Sequence, residues 1–380
     1  MEILSYDKCC GCGSCVSICP TKAINLKQDK EGFSYPEINS EKCIQCGLCR
    51  KSCGVLNKNK LEFSQGSAYG AVNRNDSVRY NSTSGGAFSA LAENVLSDGG
   101  VIYGAASVEN VIKHIRVDNF EDISGLRGSK YVQSELESVF DFIDKDLKSR
   151  KRVIFTGTPC QCAGIKAYLR SKKINIDELI LVDFVCHGVC SPKIYKEYIE
   201  YCNVRYTSNI LEHKFRCKKN GWKKHTEANI LENGSVDTES FHSQLFKSFF
   251  HSHFVHRPSC FNCEFSSIKR VSDITMADFW GIEKSIPNRF DSKGVSFLLA
   301  NSIKGKELIE ASRELETFQA NLSDTDNPCL YSPAKSPANR KEFWEIYEKK
   351  GFTGVANKFF HAGKIRRFIT DCIKKIIGRQ

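Results

Sequence analysis

Eight cysteines near the start of the chain fall into two runs with the same spacing. The first run reads C-x-x-C-x-x-C-x-x-x-C-P and comprises Cys9, Cys12, Cys15 and Cys19. The second begins 34 residues later, has Gly54 in place of the proline, and comprises Cys43, Cys46, Cys49 and Cys53. This is a spacing of thiolate ligands around 4Fe–4S clusters. The sequence therefore predicts two clusters that relay single electrons.

The same spacing predicts how the ligands are shared. Three cysteines two residues apart wrap one face of a cluster, and the fourth begins a short helix directed at the other cluster. We expect one cluster on Cys9, Cys12, Cys15 and Cys53, and the other on Cys43, Cys46, Cys49 and Cys19. A zinc knuckle is the alternative, which two complete runs disfavour. Residues 1–58 are thus predicted to form an α+β ferredoxin-like module, in which Cys10 is not a ligand.

Length, composition and charge narrow the class of the whole chain. With 380 residues, 41% hydrophobic and 26% charged, it should form two or three globular domains. No apolar run reaches the ~18 residues of a membrane span and the N-terminus lacks a secretory core, so we expect a cytoplasmic location. Its 19 cysteines then indicate metal or redox chemistry. The formal charge of +11 falls to roughly +5 with three clusters of roughly −2 each, which disfavours a nucleic-acid partner.

Strand and helix patterns alternate after the ferredoxin-like module. The predicted strands are residues 67–73, 99–108, 112–117, 151–155 and 179–185. The predicted helices are residues 84–97, 135–148, 160–170 and 192–202, and a hairpin is expected around Asn233-Gly234. This alternation indicates an α/β body with a mixed sheet and helices on its faces.

Two joints between a strand and the next helix are rich in glycine, serine and threonine. Residues 84–86 (SGG) offer bare backbone amides at a helix N-terminus, which suits either a phosphate seat or an ordinary N-cap. Residues 156–158 (TGT) follow a predicted strand and open the helix that begins at Cys160. Because α/β sheets place their sites at the carboxyl ends of strands, both joints are candidate parts of a cofactor site.

Four further cysteines stand out in the body. Cys160 and Cys186 follow neighbouring strands, and Cys260 and Cys263 form a C-x-x-C pair that needs two more ligands to hold a metal. From spacing alone, the four are either a third metal site or unrelated free thiols. His187, beside Cys186, is either a proton donor to a cofactor or substrate or a hydrogen-bond partner of a cluster sulfur.

From about residue 65 to residue 330 the chain resembles the coenzyme F420 hydrogenase/dehydrogenase beta-subunit family. The motifs that carry the resemblance are Ser84-Gly85-Gly86, GSKYVQS (128–134), 155–161, Cys186-His187-Gly188, 215–222, 257–263 and SDITMADFWG (272–281). The resemblance implies a flavin-binding region over residues 65–172 and a region with a third cluster over residues 173–330.

The resemblance also implies the cofactors and the residues of the body's site. These cofactors are an FAD and, near it, a third 4Fe–4S cluster. The implied cluster ligands are Cys160, Cys186, Cys260 and Cys263. The expected flavin-binding residues are Ser84, Gly85, Gly86, Lys130, Thr156, Gly157 and Thr158. The proton-transfer candidates are His187 and Asp278.

Together these features predict an iron–sulfur flavoprotein oxidoreductase. Electrons from a donor such as ferredoxin would pass through the clusters to FAD and a small organic substrate. The tail resembles members associated with cell-surface polysaccharide synthesis. One alternative is a subunit that exchanges electrons with the deazaflavin F420 in a hydrogenase or dehydrogenase complex. Another is a non-catalytic redox sensor or scaffold.

Residues 331–380 are predicted to form a helical basic tail. Between residues 364 and 379, Ile365, Phe368 and Ile369 share one helix face, and lysines and arginines crowd the other. Such a helix suits either the anionic inner face of a membrane, a partner protein, or packing on its own domain.

Overall fold

The N-terminal module consists of two equivalent halves in the computed structural model, which describes residues 2–136 and 138–363. Gly13 and Gly47 occupy the same position in the two cysteine runs, and each precedes a short helix with φ of 82° and 73°, respectively. Both angles lie in the left-handed region that glycine adopts without strain. The regular elements are the helices α1 (Ser14–Ser17) and α2 (Leu48–Lys51) and the hairpin strands β1 (Ile24–Gln28) and β2 (Ser34–Ile38). The repeat in sequence is therefore a repeat in backbone conformation.

The body alternates strands and helices. Its strands are β3 (Ser67–Asn73), β4 (Val101–Val108), β5 (Val111–Val117), β6 (Val153–Thr156), β7 (Leu179–Phe184), β8 (Ile210–Cys217), β9 (Thr226–Leu231), β10 (Val236–Asp237), β11 (Ile274–Asp278), β12 (Ser296–Ala300) and β13 (Leu315–Ala320). Its helices are α3 (Asp76–Tyr80), α4 (Ala87–Ser97), α5 (Ile123–Leu126), α6 (Val139–Lys148), α7 (Pro159–Ser171), α8 (Pro192–Tyr206), α9 (Leu245–Ser252), α10 (Ile282–Ser285), α11 (Ile303–Ala311) and α12 (Arg340–Phe360).

Eight strands form one mixed sheet in the order β13-β3-β12-β11-β7-β6-β4-β5. The central strands β11, β7, β6 and β4 are parallel, and the flanking strands pair antiparallel. The predicted mixed α/β sheet is thus confirmed. Because parallel strands end at the same edge, the segments that follow Thr156, Phe184 and Asp278 meet there.

Helices cover both faces of this sheet. Successive residues of a strand point to opposite faces, and in β6 both are buried. Phe155 belongs to an apolar cluster with Ile143 of α6 and Ile165 of α7. Ile154 belongs to the cluster on the other face, with Leu91 of α4. The sheet is therefore rigidly held, and its carboxyl edge is a fixed platform for a site.

Two predicted helices begin later in the structure than in the sequence pattern. Helix α4 begins at Ala87 because Gly86, with φ of 84°, is its left-handed N-cap. Helix α6 begins at Val139 because Glu135 instead pairs with β5: its N–H donates to Ile112 O at 3.0 Å. The predicted hairpin is present as β9 and β10 in a separate sheet with β8. The predicted basic helix at residues 364–379 lies outside the described residues.

The ferredoxin-like module packs closely on the body. Helix α1 contacts α7, where a Cβ on Gly164 would lie 2.8 Å from Cys12 Sγ. Arg340 of α12 forms a two-pronged ion pair with Glu31, with one N–O distance of 2.9 Å. In the part of the chain that the structure describes, no helix is both long and apolar enough to cross a membrane.

Candidate functional site

A cavity of about 30 Å³ lies between the N-terminal module and α7. The cysteines in its wall are Cys9, Cys10, Cys12, Cys15, Cys53 and Cys160. The structure therefore brings together the four cysteines predicted for one cluster, including Cys53 from the second run. The other wall residues in the described chain are aliphatic side chains, glycines, a proline and a serine. Such an all-thiol donor set suits iron–sulfur clusters or zinc.

The other predicted ligand set lies nearer the surface of the module. Cys46 is exposed, and Cys19, Cys43 and Cys49 are half-buried. Burial raises the pKa of the Cys49 thiol, and the nearby thiols of Cys46 and Cys19 raise it further. Cys19 Sγ also accepts a hydrogen bond from the backbone N–H of Ala23 at 3.3 Å. The thiols of Cys19, Cys46 and Cys49 thus lie near one another on the outer side of the module.

A second small cavity, of about 50 Å³, lies at the junction of module and body. Its cysteines are Cys10, Cys160, Cys186, Cys260 and Cys263. Burial raises the pKa of the Cys186, Cys260 and Cys263 thiols, that of Cys260 to about 12. A metal centre would displace those protons, because thiolates are the ligands. The four cysteines implied for a third cluster are therefore neighbours, and Cys10, expected to lie outside any site, joins them.

The cysteine cavities offer thiols that could bind either a cluster or a single metal ion. Among residues 2–136 and 138–363, no three histidine, cysteine or carboxylate side chains converge as the ligands of one ion do. A structural zinc site needs four ligands on one tetrahedral centre. A 4Fe–4S cluster instead binds its thiolates through different irons and keeps them farther apart. The preference for clusters over zinc therefore rests on the spacing of the two cysteine runs.

A much larger cavity, of about 510 Å³, opens at the carboxyl edge of the parallel strands. Its volume is within the usual range for cofactor sites. The sequence-predicted residues in its wall are Ser84, Gly86, Lys130, Thr156, Gly157, Thr158, His187 and Asp278. Gly85 is not in the wall; its N–H donates to Ser296 Oγ at 3.0 Å. The sequence predicts seven flavin-binding residues and two proton-transfer residues. Eight of these nine line one cavity, and Gly85 is the exception.

One end of this cavity is suited to an anion. The N-cap of α4, Gly86, provides no side-chain hydrogen bond, so the first amides of the helix lack intrahelical partners. The Ser84 hydroxyl already donates to Val295 O at 2.7 Å, which leaves the backbone amides as the donors. Lys130 lies in the same wall, and its Nζ donates to Gly125 O at 3.1 Å and to Arg127 O at 2.7 Å. Desolvation lowers the pKa of Lys130 to about 7.

Aromatic and charged side chains form another part of the wall. The Trp280 ring stacks on Trp222, with ring centres 5.1 Å apart and planes 7° apart. Asp278 accepts a hydrogen bond from Trp222 Nε1 at 2.8 Å, and its second oxygen lies 3.8 Å from Arg216 Nη1. Asp278 therefore holds Arg216 and Trp222 in place. Its role in proton transfer stays a prediction.

Five histidines border the cavity: His114, His187, His225, His251 and His253. His114 Nε2 donates to Thr156 O at 2.9 Å, and Nδ1 has no hydrogen-bond partner among the described residues. Burial lowers the pKa of His114 to about 4, so at neutral pH Nδ1 is an acceptor. Burial also lowers the pKa of His187. His225 Nδ1 lies 2.9 Å from His251 Nε2.

The three cavities adjoin one another in series. Cys10 and Cys160 lie in the walls of both cysteine cavities. Cys186, His187 and Thr158 lie in the walls of both the junction cavity and the large cavity. The capping box of α7, in which Thr158 and Gln161 exchange hydrogen bonds, fixes this shared wall. Neighbouring cavities therefore share wall residues, so one layer of side chains separates each cavity from the next.

Sequence reasoning missed His114, Arg216 and the shared position of Cys10. Arg216 lies within one of the motifs that carry the family resemblance, residues 215–222, so a signal was present. His114 lies on strand β5 without any motif. Cys10 sits between two ligands of a regular run, and only the fold shows that its thiol faces the body.

Two family models match separate parts of the chain. Residues 150–324 match the family model for the C terminus of the coenzyme F420 hydrogenase/dehydrogenase beta subunit. Residues 8–55 match the 4Fe-4S dicluster domain. Among solved structures, the chain is similar to a chain of the F420-reducing NiFe hydrogenase complex from Methanosarcina barkeri in a xenon-derivatised form. The identity is 18%, the match covers 77% of this chain and 91% of that one, and the TM-score is 0.48. No curated protein matches.

Proposed function

We propose that this chain, which matches the coenzyme F420 hydrogenase/dehydrogenase beta-subunit family over residues 150–324 and the 4Fe–4S dicluster domain over residues 8–55, is an oxidoreductase that delivers single electrons to FAD. The observation that supports this function is the series of three adjoining cavities. Two are lined by cysteines and the third has the volume of a cofactor site. Electrons would enter at the exposed Cys46 end and travel inward.

The cysteines are assigned to three clusters in this proposal. The outer cluster would bind Cys19, Cys43, Cys46 and Cys49. The inner cluster would bind Cys9, Cys12, Cys15 and Cys53. The body cluster would bind Cys160, Cys186, Cys260 and Cys263. Of these twelve cysteines only Cys46 is exposed, so the outer end is the one to which a donor such as ferredoxin would dock.

The large cavity would hold the flavin. Its phosphates would lie against the first amides of α4 and Lys130, because both favour negative charge. His114 Nδ1 would accept a hydrogen bond from the cofactor, since the imidazole is neutral and this nitrogen has no partner among the described residues. A bound flavin exchanges electrons singly and in pairs, which clusters alone do not do.

The residues near Cys186 would serve the substrate. His187 lies between the junction cavity and the large cavity, so its imidazole is placed to move a proton on the flavin side. The substrate would be a small organic molecule. Sugars and sugar nucleotides are the first class to screen because of the tail resemblance, and F420 itself is the second.

Anaerobic purification with iron, sulfide and flavin measured on one sample tests the proposal. We expect about twelve irons and one FAD per chain, since each cluster holds four irons. Reduced ferredoxin should then bleach the flavin absorbance. About eight irons without flavin would leave only the ferredoxin-like module and would overturn the catalytic function of the body.

The binding of flavin should weaken as the pH rises above 7. Desolvation of the half-buried Lys130 lowers its pKa to about 7, and the nearby Glu212 only partly offsets this. A phosphate beside Lys130 favours the charged form. Below pH 7 the ammonium is already charged, whereas above pH 7 binding must take up a proton, so each pH unit weakens binding by up to about tenfold. Titration of apoprotein with FAD between pH 6 and 9 measures this slope.

Lys130→Met should bind flavin more weakly and lose most of this slope. Lys223→Met is the matched control, because Lys223 lines the same cavity but is half-exposed and paired with Glu283. It should retain the slope. An unchanged slope in Lys130→Met would exclude Lys130 from the phosphate site.

A further inference from the structure

Arg257 is a fully buried cation at the boundary between body and module. It lies three residues before Cys260, and its side chain crosses to the first cysteine run. Its Nε donates to Cys9 O at 2.8 Å, and its Nη2 lies 3.9 Å from Cys9 Sγ and 3.0 Å from Ser34 O. The guanidinium also lies over the Tyr35 ring, 4.1 Å from its centre. A body residue thus reaches a ligand of the inner cluster.

The guanidinium lacks a carboxylate partner. Its remaining hydrogen bond is from Nη1 to Gln133 Oε1, a neutral group, at 2.8 Å. Among the described residues, no aspartate or glutamate lies within salt-bridge distance of it, although Arg270 and Arg340 each have such a partner. A buried charge that meets only neutral acceptors and aromatic rings still lacks a counter-ion. An anion beside Arg257 would therefore be favourable, and the thiolate of Cys9 with a bound cluster would be one.

We propose that Arg257 sets the reduction potential of the inner cluster. This inference rests on the part of the proposed function that assigns Cys9 to that cluster. Reduction adds one negative charge to the cluster, and a cation 3.9 Å from Cys9 Sγ in a dry interior stabilises the reduced form more than the oxidised form. Arg257 thereby raises the potential at the point where electrons leave the module for the body.

Gln133 offers a second position at which the charge around Arg257 can be changed. Its Oε1 accepts from Arg257, and its Nε2 faces Cys10 O and Gly11 O at 3.4 and 3.5 Å. A Cβ on Gly11 would lie 2.5 Å from Gln133 Nε2 and 2.8 Å from Arg257 Nη1. The close approach of both side chains therefore requires glycine there. Gln133→Glu would place a counter-charge on Arg257 with little change in shape.

Potentiometric titration of the anaerobic, fully loaded protein, followed by electron paramagnetic resonance, tests the proposal. In Arg257→Gln, one cluster couple should move to lower potential. Its reduced-to-oxidised ratio at a fixed potential should fall about tenfold, which corresponds to about 59 mV for one electron. The other couples and the flavin should keep their potentials. Arg257→Lys keeps the charge and should move the couple less.

Gln133→Glu should shift the same couple in the same direction, and it keeps the test decisive if Arg257→Gln does not fold. Arg50→Gln is the matched control, because Arg50 lies in the outer run and is exposed; it should leave the inner couple unchanged. If both Arg257→Gln and Gln133→Glu retain full iron and neither shifts a cluster couple, the role of Arg257 in setting the potential is overturned. A wild-type protein without clusters would instead overturn the proposed function itself.

Discussion

Cys160→Ala should lose about four of about twelve irons and should no longer pass electrons from ferredoxin to the flavin. Cys160 lies in the walls of both cysteine cavities, so it is the residue whose loss most directly interrupts the series. Flavin content should stay near one per chain, because Cys160 does not line the large cavity. Dithionite should still reduce the flavin. Iron analysis and stopped-flow bleaching of the flavin measure both effects.

Cys162→Ala is the matched control for this experiment. Cys162 lies on the same helix, and its thiol points into the core, 3.9 Å from Val182 O. It is fully buried, so alanine should cost roughly 1 kcal/mol of stability through a small cavity. Iron content and electron transfer should be preserved. Loss of iron in both variants would mean that Cys160 acts through the packing of α7 and not as a ligand.

The grouping of the N-terminal cysteines was predictable because cluster chemistry dictates a local spacing. Cys9, Cys12 and Cys15 lie within a few residues of one another, so the pattern is visible in sequence. The pairing of Cys53 with the first run could also be inferred, because the module is duplicated. Arg257 could not be placed in this way. Its contact with Cys9 joins residues far apart in the chain and depends on how the module docks.

In the body, too, features set by nearby residues were predictable and features set by contacts between distant residues were not. The sequence pattern predicted β3 and β7 nearly residue for residue. The start of α6 was mispredicted because Glu135 has helical neighbours but pairs with β5. Ser84 and Gly86 were chosen for a phosphate seat by composition, whereas the structure commits the Ser84 hydroxyl to a carbonyl. Propensity therefore located the elements, and tertiary hydrogen bonds decided which of their polar groups remain available.

Gly86→Ala should weaken flavin binding more than any other single change at the phosphate end. The backbone at Gly86 has φ of 84°, where alanine costs roughly 1–2 kcal/mol. Its Cβ would also lie 2.9 Å from Asn73 Cβ, so the turn must move. Losing one amide hydrogen bond to a phosphate costs about 1.5–3 kcal/mol, which raises the dissociation constant about 10- to 150-fold. Fluorescence titration of apoprotein with FAD measures the change.

Gly99→Ala separates flavin binding from backbone strain. Gly99 follows the other end of the same helix, with φ of 72°, and a Cβ there would meet nothing within 4 Å. Both variants should lower the free energy of unfolding by at least roughly 1 kcal/mol, since both force alanine into the left-handed region. Only Gly86→Ala should lose flavin. Equal flavin affinity in the two variants would show that the N-terminus of α4 does not hold the cofactor, and the large cavity would then need a different occupant.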